Sequence, residues 1–452
     1  MTTKKYIIYG TIIIALTITI TIFWILIIKN SNLEGNIIDK TKEQLNNKGN
    51  NNGNNSKDIT YSSKKEITSD EDISEGTFTS SEADENTISV SGNIKSTLSN
   101  IKVTKTGDSD GGDNTSFYGT NSAVIAKDGA TLTIKNATIS TDATGANGVF
   151  SYGGSATTNN TKSDGTTINI SDSVITTKKG NSGGIMTTGG GTTNAKNLTV
   201  TTEGQSSAAI RSDRGGGTVN VDGGTYTSNG VGSPAIYSTA DITVKNAKLI
   251  STTSEGAIIE GKNSITLENV TLTDTHTKNI KSKTYKNIFI YQSMSGDAAE
   301  GEASFTAKNS TITTNNGDSF YVSNTSAVIN LTNNKIVNND TEGYFLRIQK
   351  DAWGKEGSNG GQVTLNLNNQ TINGNIGVDE ISSLTMNMTS SSFKGVIDAK
   401  SGKVSLKLDK SSKITLTGDS YITSLDNADK TNSNINLNRY KLYVNGEELK
   451  ID

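Results

Sequence analysis

Three short stretches of this chain carry side chains that could do chemistry. "IRSDRGGG" sets Arg211, Asp213 and Arg214 beside small glycines, where long charged side chains could hold a polar ligand or hold each other. As an exposed ion pair at a turn, the same group would carry little energy. "GDSDGGDN" offers Asp108, Asp110 and Asp113 as oxygen donors alternating with Gly and Ser, a composition suited to Ca2+ in a flexible loop. Its D-x-D-x-x-D opening matches an EF-hand loop, but the later bidentate Glu and the flanking helices are missing, so an ordinary acidic loop also fits. "QKDAWGKEGSNGG" places Trp353 in a polar, Gly-rich setting with Lys350 and Asp351 beside it. An indole there can lie on a sugar face while its neighbours supply hydrogen bonds. It can equally pack against its own loop.

Other chemistries are excluded by composition. His276 is the only histidine, in the Thr-rich "TDTHTKN" segment, where a solvated ring is expected. One histidine cannot build a Ser/His/Asp set or a His metal site. Without cysteine there are no disulfides and no thiolate ligands. A net charge of −3 gives no electrostatic case for nucleic acid. The chain therefore reads as a non-enzyme that requires no cofactor, with Ca2+ as the one ion it could take.

The elements that must position these residues are set by a repeat. A seven-residue phrase recurs about thirteen times, as "TIKNATI" ending at Ile139, "NISDSVI" at Ile175, "NAKNLTV" at Val200, "TVKNAKL" at Leu249 and "TAKNSTI" at Ile312. It fades through "KLDKSSK" and closes as "NLNRYKL" at Leu442. Each copy reads as a short strand, a turn and another short strand. A second apolar pair precedes most copies, such as Val149-Phe150, Ile185-Met186 and Phe320-Tyr321. Strands this short, with no helical periodicity between them, predict an all-β parallel β-helix of about 12–13 coils. The fourth position of the phrase is Asn100, Asn136, Asp172, Asn197, Asn246, Asn269, Asn309, Asn333 and Asn369. These side chains tolerate the left-handed backbone of a sharp corner and can bond from coil to coil as a ladder. Three insertions, "YGGSATTNNTKSDGT", "SMSGDAAEGEA" and "QKDAWGKEGSNGG", fall at a similar place in the coil and should crowd one edge.

This pattern of coils and Asn corners resembles the right-handed parallel β-helix proteins of the pectin-lyase-like group, especially their adhesin-like and carbohydrate-binding surface members. The resemblance covers residues 85–452. It implies a right-handed solenoid and a polysaccharide or glycoprotein as partner. Within that group the fold serves lyases, hydrolases, adhesins and glycan binders alike, and fold alone does not choose among them.

The remaining segments place the coils. Residues 1–29 read as a Lys-containing start and one transmembrane helix, the apolar run Tyr6–Ile28 being long enough to cross a bilayer core. Residues 30–84, with "NNKGNNNGNNSKD" and "SSEADEN", read as a polar disordered stalk. Residues 85–452 read as the β-helix, opening near Thr87–Val90 and closing on a hairpin at Asn445-Gly446. The expectation is a single-pass bacterial membrane protein displaying a binding or adhesive module outside the cell, most simply for glycans. A polysaccharide-cleaving β-helix enzyme and a structural envelope spacer are the alternatives. Lys4 and Lys5 before the run favour an uncleaved anchor with a cytoplasmic start. Protease added to intact cells should shave the stalk and leave a short membrane stub. Recovery of a mature chain beginning near Ser31 would exclude the anchor.

Overall fold

A strand whose alternate residues are Ile, Val or Leu cannot bury them alone, and here each strand buries them by lying parallel to its counterpart one coil away. The computed structural model describes residues 59–155, 162–276 and 284–451. Every described strand belongs to the compact unit Thr60–Asp452. The apolar run at Tyr6–Ile28 and the segment read as a stalk, up to residue 58, lie outside the described residues. Among the described residues, no helix is long and apolar enough to cross a membrane.

The unit is a parallel β-solenoid. One strand from each coil builds a thirteen-stranded parallel sheet, from Ser62–Ile67 through Val149–Tyr152, Ile210–Ser212 and Lys286–Tyr291 to Ile397–Asp398. Two further strand runs per coil form a 22-stranded sheet, and in the last coils one of these runs separates as a four-stranded sheet. Between them lies one continuous core. Ile134, Ile170, Val221, Val244 and Leu267 are buried along one column, each contributing roughly 1.5–3 kcal/mol relative to exposure.

The solenoid starts earlier than the composition suggested. Ser62–Ile67, Glu71–Ile73 and Gly76–Ser80 form a full coil inside the segment read as stalk. Its Asp and Glu residues and all its Ser except the buried Ser80 lie at least partly exposed, while Ile67, Ile73 and Phe78 join the core. Three apolar side chains at the inward positions are enough, and polar composition hid them. Thr87–Val90 accordingly opens nothing. It lies in Glu85–Ser91, which pairs with a strand on either side.

The far end closes as a hairpin. Leu442–Val444 pairs antiparallel with Glu447–Glu448 across Asn445-Gly446, whose φ values are 51° and 83°. The phrase ending at Leu442 is not a full repeat, because Asn436 pairs in the four-stranded sheet and Leu442 pairs with Ser420 in the cap.

All nine Asn and Asp corner residues have positive φ, between 48° and 59°. Their side chains link successive coils. Asn197 Nδ2 donates to Asp172 Oδ1 at 3.1 Å, Asn269 Nδ2 to Asn246 Oδ1 at 3.2 Å, and Asn333 Nδ2 to Asn309 Oδ1 at 2.8 Å. At Gly223 (φ 79°) the column has no side chain, so Asn246 Nδ2 reaches instead to Asp222 Oδ1 at 2.7 Å. Asn246→Val should destabilise the solenoid by about 1–3 kcal/mol, since a β-branched residue resists φ > 0 and two side-chain bonds are lost. Thermal or urea unfolding measures this, and an unchanged midpoint would show that the corner does not depend on Asn.

Candidate functional site

Alternation along a strand sends every second residue outward, and the outward residues differ sharply among the faces. On the large sheet they are mostly polar, Thr and Asn prominent among them, with Asn194 bonded to Asn169 and Asn220 to Asn194, each at 2.9 Å. On the thirteen-stranded sheet the outward column runs Ile125, Phe150, Met186, Arg211, Tyr237, Ile258, Phe289, Tyr321, Arg347, one residue per coil in register. Aromatic and apolar side chains on an outer face must be covered by something.

Two segments cover them. The chain around Asp113–Phe117, a single helical turn, lies over the first coils. Thr188 Oγ1 donates to the Phe117 carbonyl at 2.7 Å, and Asn147 Nδ2 donates to that of Thr115 at 3.2 Å. Gly119 sits directly on the Phe150 ring, where a Cβ would come within 2.7 Å of it. Ile125, Phe150 and Met186 are fully buried beneath. The second cover is the insertion at residues 293–301. It and the insertions at 153–166, of which 156–161 lie outside the described residues, and 349–361 each follow a strand of the thirteen-stranded sheet and precede one of the large sheet, so all three start from the same corner of the coil.

Between the two covers the charged groups meet. Arg211 and Asp213 are not the exposed turn pair considered above, for their side chains are only 13% and 8% exposed. Arg211 Nη2 donates to Asp213 Oδ2 at 2.8 Å and Nη1 donates to the Ser206 carbonyl at 2.9 Å. Arg214 Nη2 donates to Asp297 Oδ1 of the insertion at 2.8 Å, and its guanidinium lies 4.1 Å over the Phe117 ring. Ser295 Oγ bonds the other Asp297 oxygen at 2.9 Å. Glu260, almost fully buried, accepts hydrogen bonds from Tyr237, Tyr291 (3.2 Å), Ser293 and Ser295 (3.4 Å). Tyr291 stacks on Phe289 at 4.3 Å, and Trp353 lies 6.0 Å from Tyr291. The arginine cluster and the tryptophan loop, which look several coils apart in sequence, are joined by this chain of contacts.

Burial pushes the Asp213 carboxyl up to about 6, against the pull of Arg211 and helped by Asp297. Burial, with Glu260 adding to it, holds the Tyr237 and Tyr291 hydroxyls well above the usual phenol range. Arg211, Asp213, Tyr237, Asp297, Phe117 and Asp113 are among the residues enclosing a cavity of about 360 Å3. A second cavity of about 320 Å3 opens on the other side of Asp297, over Gly215 to Gly217. Gly217 (φ 146°) is needed there, because a Cβ would meet the Gly191 carbonyl oxygen at 2.3 Å.

The other candidates are placed differently. Asp108, Asp110 and Asp113 do not come together as a Ca2+ site, and no three His, Cys, Asp or Glu among the described residues could hold a metal ion. Asp108 pairs instead with Lys179 at 3.0 Å and accepts the Thr144 N–H, which together hold its carboxyl below the usual range. Lys350 reaches Glu380 at 2.7 Å, and Asp351 accepts the Ala352 N–H, so both are engaged beside their own loop. Trp353 remains 40% exposed. His276 is not solvated. It is buried, edge-on to Tyr285 at 5.1 Å.

The sequence reading missed Phe117, Tyr237, Glu260, Tyr291 and Asp297. Its apolar pairs held a signal for the face, because one member of each pair must point outward. Glu260 ends the strand Ala257–Glu260 and Asp297 lies in the insertion, so neither is marked by an apolar pair. No protein-family model, no curated protein and no solved structure matches this chain.

Beside His276, Asp274 is fully buried. Its Oδ1 accepts the His276 N–H at 2.7 Å, its Oδ2 has no partner, and burial pushes the carboxyl up to about 8. The folded state thus keeps a proton that the unfolded chain loses near pH 4. The stability this group contributes is whole below about pH 4 and is lost as pH rises through about 8. Asp274→Asn should flatten that decline in urea unfolding measured across the window. A slope identical to that of the parent chain would show that Asp274 does not cause it.

Proposed function

We propose that this chain is a membrane-anchored bacterial surface protein of the right-handed, pectin-lyase-like kind. Its thirteen-stranded sheet serves as a saccharide-binding, adhesive face toward extracellular polysaccharide or glycoprotein. The observation that carries this reading is the continuous line of aromatic and hydrogen-bonding side chains from Arg211 through Tyr237, Glu260 and Tyr291 to Trp353. Sugar rings present apolar C–H faces and a rim of hydroxyls, and where this line opens to solvent, at the half-buried Tyr237 and at Trp353, it offers both complements. The Thr and Asn faces offer only the second. A chain of sugars laid along the solenoid axis would meet one coil every 4.8 Å or so, which suits an extended polymer more than a compact ligand.

One observation favours cleavage as a second reading. Asp213, whose carboxyl burial pushes up to about 6, lies in the cavity with Asp297, and a pair of carboxyl groups is what glycoside hydrolysis requires. Release of reducing ends during incubation with a bound polysaccharide would establish it.

Screening the full chain on a glycan array tests the binding reading. For a saccharide found there, Trp353→Ala should reduce affinity by about 1–3 kcal/mol, the scale of burying a large aromatic side chain. The melting temperature should barely change, because the loop lies outside the core. Absence of binding to every glycan by a folded chain would favour the spacer.

A further inference from the structure

The saccharide reading leaves open which sugar the cavity takes, and its charges answer that. An arginine pair suggests an acidic ligand only when its guanidinium groups are free. Here they are not. Arg211 is held by Asp213 and the Ser206 carbonyl, and Arg214 by Asp297 and the Phe117 ring. Among the described residues Arg211 is the only cationic side chain lining the cavity, whereas three carboxylates line it: Asp113, Asp213 and Asp297. Two of the three are matched by the arginines. Asp113 stands beside the cavity with an exposed side chain, and among the described residues its carboxylate makes no hydrogen bond or ion pair.

The floor has the complementary character. Tyr237, Pro234, Ala208 and Phe117 supply ring and methylene surface, with Ser116 and Ser206 at the edge. At about 360 Å3 the cavity lies toward the small end of the roughly 300–1,000 Å3 range of ligand sites, room for about one sugar residue of a longer chain.

We infer that this cavity receives a sugar residue bearing a free, protonated amino group, with the ammonium at Asp113 and the ring over Tyr237 and Pro234. An N-acetylated residue has no positive charge to offer. A uronate would bring its carboxylate against three others, with no unpaired cation lining the cavity to receive it. The inference rests on the saccharide-binding reading and narrows it to cationic amino sugars.

Calorimetric titration of the full chain with a β-linked glucosamine oligomer, its fully N-acetylated counterpart and an oligouronate of the same length tests it. The glucosamine oligomer should bind at least about tenfold tighter than either of the others, and raised salt should shrink that advantage. Asp113→Asn should weaken glucosamine binding roughly fivefold and leave binding of the acetylated oligomer unchanged. The fold should tolerate the change, since Asp113 has no side-chain bond to lose. Equal affinities, a preference for the acetylated or acidic oligomer, or an Asp113→Asn chain that binds glucosamine undiminished would each overturn the amino-sugar inference alone. Failure of all three oligomers to bind, together with a blank glycan array, would overturn the saccharide reading beneath it.

Discussion

In-register parallel stacking is the constraint on which everything else in this protein depends. Each strand is hydrogen-bonded in register to its counterpart in the next coil, so each position of the repeat becomes a column running along the axis. A column is either inward or outward along its whole length, and a slip of one residue would turn every core side chain to solvent. The left-handed Asn corners keep the count. Each turns the chain by the same amount at the same place, and the coil-to-coil amide bonds connect neighbouring corners.

This columnar logic explains what could be read from the sequence. The repeat phrase, its fourth-position Asn and the apolar pairs before it are all column properties, and each repeats often enough to stand out. The first coil escaped because Ile67, Ile73 and Phe78 are its only strong marks among Ser, Asp and Glu. The candidate face was half legible. Arg211, Asp213 and Arg214 are adjacent in sequence and conspicuous against their glycines. Their partner Asp297 lies 83 residues after Arg214, in an insertion whose contacts no repeat predicts. Glu260 fits the strand pattern of its coil and reveals its role only through the tyrosines and serines gathered on it.

The face also shows how a charged surface can be quiet. Arg211 with Asp213, Arg214 with Asp297, and Lys350 with Glu380 are matched locally. A buried ion pair contributes little net stability once desolvation is counted, but breaking one is costly because the remaining charge is left uncompensated. Such pairs fix geometry more than they add binding. The positions of Tyr237 and Tyr291 around Glu260 follow from the same rule, since a buried carboxylate accepts every donor within reach.

The tie between Arg214 and Asp297 has a mechanical meaning. A solenoid pulled along its axis yields by peeling coils from an end, each loosening without the next, as stacked repeats generally do. A bond joining residues 83 apart spans several coils, and Glu260 adds its own links from Tyr237 to Ser293 over the same stretch. The middle of the stack is thereby laced into one block that must give way together. Load applied to the chain would unravel the unlaced coils toward the ends first and reach the laced block last.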